Sequence, residues 1–169
     1  MDGDFVLIIA GPPGVGKTTI AQIICQHNKC SYLSEDELSK KLFPGVYKDT
    51  PKQLKQTNKE LLKRLKDLND GNCLVADLVN LDEDFIKNLK NLFGKRLIIK
   101  VIFPPIKTII ERDKKRPCWT SGEENIKRYY KQYQKLKEII GKNNYIDNSS
   151  QNPEETYEKY FINLMLNMF

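Results

Sequence analysis

Apolar positions along the chain fall into two patterns. Short continuous runs rich in β-branched residues mark strands covered on both faces, and runs spaced by three and four mark amphipathic helices. Phe5–Ala10 is continuous, and Leu97–Phe103 is a second such run broken only by Lys100; Ser31–Leu33, Cys73–Ala76 and Asn144–Ile146 are shorter candidates. Between them lie helical stretches with clear punctuation. Lys17–His27 follows a glycine-rich loop, and Asp36–Leu42 is short and acidic at its start. Thr50 precedes a helix with Pro51 at its first position. Leu54, Leu61, Leu62, Leu65 and Leu68 form its apolar face, and Gly71 lies past its end. Asp82–Phe93 presents Phe85, Ile86, Leu89 and Leu92 before Gly94. Ser121 and Glu124 read as a capping box for a helix reaching Ile140, and Asn152-Pro153 opens the last helix. Five strands alternating with helices predict an α/β fold with a parallel sheet covered on both faces.

At 169 residues the chain is long enough to bury a core, and it reads as one domain over 1–169. Phe5–Ala10 is far too short an apolar run to span a bilayer. The acidic Met1–Asp4 start lacks the basic region of a signal peptide, so a cytoplasmic protein without a membrane partner is expected. Cys25, Cys30, Cys73 and Cys118 form no C-x-x-C, and reduced buried thiols are expected. His27 is the only histidine, which leaves general-base chemistry to a carboxylate.

Charge changes the picture locally. The net charge of +6 lies wholly in residues 107–142, which hold eleven basic and five acidic side chains; elsewhere the two signs balance. Such a segment suits a polyanion or a set of phosphates, although Lys outnumbers Arg 23 to 5, so part of the excess reads as a general drift towards lysine.

Chemistry enters at Gly11-Pro12-Pro13-Gly14-Val15-Gly16-Lys17-Thr18, a G-x-x-x-x-G-K-[ST] phosphate loop lying directly between a strand and a helix. The glycines let backbone N–H groups turn inward on a phosphate, and the helix N-terminus adds a favourable dipole. Lys17 would reach the β- and γ-phosphates of ATP, and the Thr18 hydroxyl would ligate Mg2+. Gly11, Pro13, Gly14, Val15, Gly16, Lys17, Thr18 and Thr19 are therefore the expected nucleotide contacts. Asn58-Lys59-Glu60-Leu61 fails as a guanine motif at its last position, and neither a D-x-x-G switch nor L-S-G-G-Q is present. A small kinase remains.

Ligands of open parallel sheets collect at the C-terminal strand ends, where Asp36, Asp77 and Asp147 fall. Asp36 is the preferred base for an attacking hydroxyl, with Glu35 and Glu37 as rivals. Asp77 suits a Mg2+ ligand or a substrate-orienting carboxylate. Arg112 and Arg116 are four apart, hence on one face if the segment is helical, in a basic lid over about 105–122. An arginine closing there would stabilise the charge of phosphoryl transfer. Lys127, Arg128, Lys131, Lys135 and Lys137 follow, interleaved with Tyr129, Tyr130 and Tyr133; at helical spacing this reads as a solvated basic face with the tyrosines packed inward, or else as a surface for an external polyanion.

Over about residues 5–140 the chain resembles the kinase domain of the polynucleotide 5′-kinases, within the broader group of zeta-toxin, chloramphenicol phosphotransferase, gluconate and shikimate kinases. Besides the phosphate loop, Leu33–Glu37 is similar to the segment bearing their catalytic aspartate, which implies Asp36 as base. Leu74–Asn80 resembles their strand-Asp-x-x-Asn segment and implies Asp77 and Asn80 near the acceptor. Glu111–Pro117 looks like their lid, with Arg116 on the transferring phosphate and Arg112 near the adenine or the phosphates. Tyr145–Ser149 is similar to their adenine-side segment. Ser39 stands where these enzymes often carry an arginine for the acceptor's phosphate.

The reading is a P-loop NTPase fold with strand order 2-3-1-4-5 and a basic lid, acting as an ATP- and Mg2+-dependent kinase of polynucleotide-kinase type. The acceptor is a 5′-hydroxyl nucleic acid held on the Lys127–Lys137 face, with tyrosines stacking on bases, or a small hydroxylated metabolite, nucleoside, nucleotide, sugar acid or antibiotic. A nucleotide-dependent binding protein or ATPase without an acceptor is a third possibility. The chain is expected to be a monomer or a homodimer.

Overall fold

The computed structural model describes residues 5–45, 50–68, 73–117 and 120–168. Five strands, β1 (Val6–Ala10), β2 (Ser31–Ser34), β3 (Leu74–Leu78), β4 (Leu97–Ile102) and β5 (Tyr145–Ile146), form one sheet in the order β2-β3-β1-β4-β5. All four pairings are parallel, as the sequence predicts. β1 is central because its continuous apolar run can face protein on both sides; every residue from Phe5 to Ala10 is fully buried.

The period of two along β1 divides the core. Val6, Ile8 and Ala10 join Leu74, Ala76 and Leu78 on one face. There they meet Leu61 and Leu65 of α3 (Pro51–Asp67) and Phe85 and Leu89 of α4 (Glu83–Phe93). Leu7 and Ile9 turn to the other face, against Ile20 and Ile24 of α1 (Lys17–Asn28) and Tyr157 of α8 (Pro153–Tyr160). Phe161 and Met165, around α9 (Ile162–Leu166), close that side. Caps lie where the sequence signals them: Thr50 and Gln53 form a capping box before Pro51, as do Asn152 and Glu155 before Pro153, and Asp82 caps α4.

Four expectations are corrected. The Ser121–Glu124 capping box does not form, because the Ser121 N–H is taken by the Asp113 carboxylate at 3.0 Å. The helix α6 (Glu123–Lys135) starts from Gly122 without a side-chain cap and breaks at Leu136 before α7 (Lys137–Ile140). Arg112 and Arg116 do not share a helix face: α5 (Ile106–Lys114) ends before Arg116. Cys30 and Cys73 are not free thiols. Ser31 pairs with Leu74 in the parallel ladder, which sets the two preceding cysteines side by side with Cα atoms 4.7 Å apart, and a disulfide joins them. Their separation of 43 residues matches no local motif, which is why spacing alone misses it. Cys25 is a free thiol whose pKa burial pushes up to about 11. Gly71 and Cys118 lie outside the described residues. Among the described residues no helix is long and apolar enough to cross a membrane.

Candidate active site

The phosphate loop leaves β1 at Gly11 and enters α1 at Lys17. Gly11 has φ +147°, and a Cβ there would overlap the Ile102 carbonyl oxygen of β4, so only glycine lets the loop pass this close to the neighbouring strand. Gly16 caps α1 in the left-handed region at φ 92° without a side-chain hydrogen bond, and the helix has no acidic residue in its first turn. The helix start thus has no side-chain cap at Gly16 and no acidic residue of its own in the first turn, the condition for holding a phosphate.

Lys17 is buried and its ammonium donates to the Pro12 carbonyl at 2.8 Å. Burial lowers its pKa to about 8, against the pull of Asp77 and Glu35 and with a further push from Arg116, so it is still a cation at neutral pH. Thr18 Oγ1 donates to Asp77 Oδ2. Asp77 lies inside β3, opposite Ile9 and Ser34 of the flanking strands, rather than ending the strand as its sequence position suggests. Its other oxygen, Oδ1, is buried with no hydrogen-bond partner.

This pairing fits Mg2+. A hydroxyl and a carboxylate with an unpartnered oxygen, at the mouth of a phosphate loop, can hold a hydrated hard cation whose remaining ligands are phosphate oxygens and water. Among the described residues no group of three or more His, Cys, Asp or Glu side chains forms a cage that would hold a metal without phosphate.

The carboxylates after β2 divide their tasks. Ser34 caps α2 (Glu35–Leu42) by accepting the Glu37 N–H at 3.4 Å. Glu35 turns inward: Oε2 accepts the Val79 and Asn80 N–H groups at 2.6 and 2.9 Å, while Oε1 is buried without a partner. Asp36 turns outward, largely exposed and ion-paired with Lys40 at 2.5 Å, yet close enough for its charge to act on Lys17. Asn80 is half-buried just past β3.

Burial raises the Glu35 pKa from 4.5 to about 7. Between those values the folded chain holds a proton that the unfolded chain has released, so this group's stabilisation is lost as pH rises from about 4.5 through about 7. Glu35→Gln removes that titration and keeps an acceptor oxygen. The variant is expected to gain stability relative to wild type, by on the order of 3 kcal/mol, between pH 5 and pH 8. Urea unfolding of both proteins at the two pH values checks this; a constant difference between them would refute it.

Across the loop, Arg112 donates to the Asn148 side chain at 3.1 Å and to the Asn148 carbonyl at 2.8 Å. Asn148, almost fully buried, donates on to the Val15 carbonyl at 3.3 Å. Gly14, Val15, Ile20, Arg112, Asn148 and Gln151 line a cavity of about 220 Å³ beside the phosphate loop. Arg116 approaches the Asp113 carboxylate at 3.6 Å. That carboxylate also accepts the Ser121 and Gly122 N–H groups and so ties down both ends of the loop after α5.

Phosphate loop, Lys17, Thr18–Asp77 and Arg112 thus gather at one end of the sheet. Residues 6–136 match the family model AAA_33, described as "AAA domain". The chain belongs to this family. No curated protein matches this AAA_33 chain. Solved structures resemble it in fold. A gluconokinase from Sinorhizobium meliloti 1021 is 15% identical over 99% of this chain and 97% of its own, with a TM-score of 0.74. Shikimate kinase from Acinetobacter baumannii, in complex with shikimate, is 17% identical over 98% and 95%, with a TM-score of 0.70. A chain of the Pnkp1/Rnl/Hen1 RNA repair complex is 19% identical over 80% of this chain but only 46% of its own, with a TM-score of 0.67. This AAA_33 chain therefore has a P-loop kinase-like fold.

Asp113 and Asn148 escape the sequence reading. Asp113 is one acid in a basic run, and Asn148 acts through tertiary contacts that no spacing encodes. Of the two readings of the basic face, inward packing of the tyrosines holds: Tyr133 is fully buried, and Tyr129 is nearly so. Tyr130 is half-buried and stacks on Phe103. The three tyrosines are thus packed inward.

Proposed function

We propose that this protein is an ATP-dependent phosphotransferase, a single kinase domain over 1–169 with its lid at about 105–122. The observation that carries this reading is Lys17, a buried cation at the phosphate loop, beside the Thr18–Asp77 pair. When bound, Mg2+ would neutralise charge on the phosphates. Thr18 and Asp77 would hold it, and Gly11, Pro13, Gly14, Val15, Gly16 and Thr19 would surround the nucleotide with Arg112 on the adenine side. Asp36 takes the proton of the acceptor hydroxyl, Asp77 and Asn80 orient that hydroxyl, and Arg116 closes on the transferring group. Such a site works by positioning and electrostatics. A cytoplasmic location suits ATP supply.

The likeness of Leu33–Glu37 and Leu74–Asn80 to polynucleotide 5′-kinases argues for a 5′-hydroxyl nucleic-acid acceptor. The basic face argues against it. Its tyrosines are packed inward, and Lys127 and Lys142 are ion-paired with Glu123 and Glu138. The position that resembles the acceptor-phosphate arginine holds the buried Ser39. A small hydroxylated acceptor is therefore the better-supported reading, and it accords with the small-molecule kinases that match the fold along their whole length.

A radiolabelled ATP transfer screen over 5′-hydroxyl oligonucleotides, nucleosides, nucleoside monophosphates and sugar acids tests both. Transfer to a small acceptor that changes little between 50 and 200 mM salt is expected. Transfer to oligonucleotides that falls steeply over that range would instead select nucleic acid. ATP hydrolysis with no labelled product would overturn the kinase reading in favour of a nucleotide-driven switch.

A further inference from the structure

The segment after β3 is held from two sides by side chains that the phosphate chemistry leaves unused. Glu35 takes the N–H groups of Val79 and Asn80 at 2.6 and 2.9 Å. On the opposite polarity, the Tyr133 hydroxyl donates to the Val79 carbonyl at 2.9 Å, and Gln132 Nε2 donates to the Leu81 carbonyl at 2.7 Å. Three side chains thus make four hydrogen bonds to one loop from two helices, α2 and α6, that lie far away in sequence.

The arrangement is expensive for a merely structural contact. A connecting loop normally satisfies its backbone with water. Here a carboxyl and a phenol are both taken out of water to do so, Glu35 at 6% exposure and Tyr133 at 0%. Glu35 lies one residue before Asp36, and the loop begins two residues after Asp77, so the contact joins the two strand ends at which the acceptor is read. We infer that Glu35 and Tyr133 are positioning residues: together they fix the Val79–Asn80 backbone and thereby hold Asn80 in register with Asp36 and Asp77 for the acceptor. This rests on the phosphotransferase reading. Glu35 acts here as a hydrogen-bond acceptor, and its charge is not required; a glutamine oxygen can take the same two N–H groups.

Glu35→Ala, Glu35→Gln and Tyr133→Phe separate these roles. Amide exchange by mass spectrometry follows the 78–82 segment, calorimetric titration follows Mg·ADP, and transfer kinetics use a 5′-hydroxyl oligonucleotide and gluconate as separate probes. In Glu35→Ala, exchange at 78–82 is expected to quicken at least tenfold. KM for whichever probe is phosphorylated should rise at least tenfold, with Mg·ADP affinity within about twofold of wild type. Glu35→Gln should restore both exchange and KM, and Tyr133→Phe should move both in the direction of Glu35→Ala. Unchanged exchange in Glu35→Ala overturns the inference. So does a parallel loss of Mg·ADP affinity, or a Glu35→Gln variant as impaired as Glu35→Ala, since charge or the nucleotide site would then explain the residue. If Glu35→Ala does not fold, Tyr133→Phe carries the same readouts. A wild-type chain that phosphorylates neither probe counts against the phosphotransferase reading alone, because the exchange arm still decides whether the two side chains fix the loop.

Discussion

Replacing Lys17 with methionine is expected to lower phosphoryl transfer by on the order of a thousandfold while the fold persists. Lys17 is a desolvated cation, and charge in a water-poor site acts more strongly on a phosphate than the same charge in solvent. Among the described residues its ammonium donates to one acceptor, the Pro12 carbonyl, a weak partner that the phosphates of ATP would replace. Methionine keeps the stem that packs beside the loop and removes only the charge. Asp77 and Glu35 would lose their counter-charge, but Glu35 already holds a proton up to about pH 7, so the pair can neutralise instead of forcing the loop apart. Radiolabelled transfer at saturating acceptor and a thermal melt, run together, check both halves. Transfer within tenfold of wild type would remove Lys17 from the chemistry.

How far the sequence foretells this site depends on how local each signal is. The phosphate loop is contiguous and physically over-determined: close passage at Gly11, left-handed φ at Gly16 and charge at Lys17 each demand one residue type. It is legible without any structure, as is the interior place of β1; the full strand order comes with the resemblance to the small P-loop kinases. The Thr18–Asp77 contact spans 59 positions but joins two recognisable places, the end of the phosphate loop and the penultimate position of an apolar strand. Glu35, Asp113 and Asn148 have no such signature. Each is an ordinary residue whose role comes from what another element brings to it, and pattern reading assigns it the ordinary role. Tyr133 stands between the two cases: the three-and-four spacing that exposes the lysines also buries the tyrosines, so its inward packing is legible, but its hydrogen bond to the Val79 carbonyl is not. The disulfide fails for a related reason, since two cysteines become neighbours only after a strand register is known.

Asp36→Asn is expected to lower kcat by about 10²–10⁴-fold with nucleotide affinity unchanged. The structure makes this substitution a clean one. Asp36 is 68% exposed and its recorded partner is Lys40 one turn on, a surface pair of the kind that contributes little to stability. Asparagine is nearly the same shape and keeps the first turn of α2 intact, because Ser34 and not Asp36 supplies the cap. What disappears is the ability to take a proton. Glu35, the neighbouring carboxylate, is poorly placed to substitute: it is buried and its Oε2 is committed to the Val79 and Asn80 N–H groups. Glu37 is the remaining rival, and its backbone N–H already serves the Ser34 cap while its side chain lines a separate cavity with Lys41 and Arg64 at the edge of β2. Parallel rates for Asp36→Asn, Glu37→Gln and wild type therefore decide the base. Loss in the first alone assigns it to Asp36. Near-normal turnover in Asp36→Asn with loss in Glu37→Gln moves it one residue along the helix. Near-normal turnover in both would mean that transfer proceeds by positioning the hydroxyl, with its proton passing to the phosphate or to water.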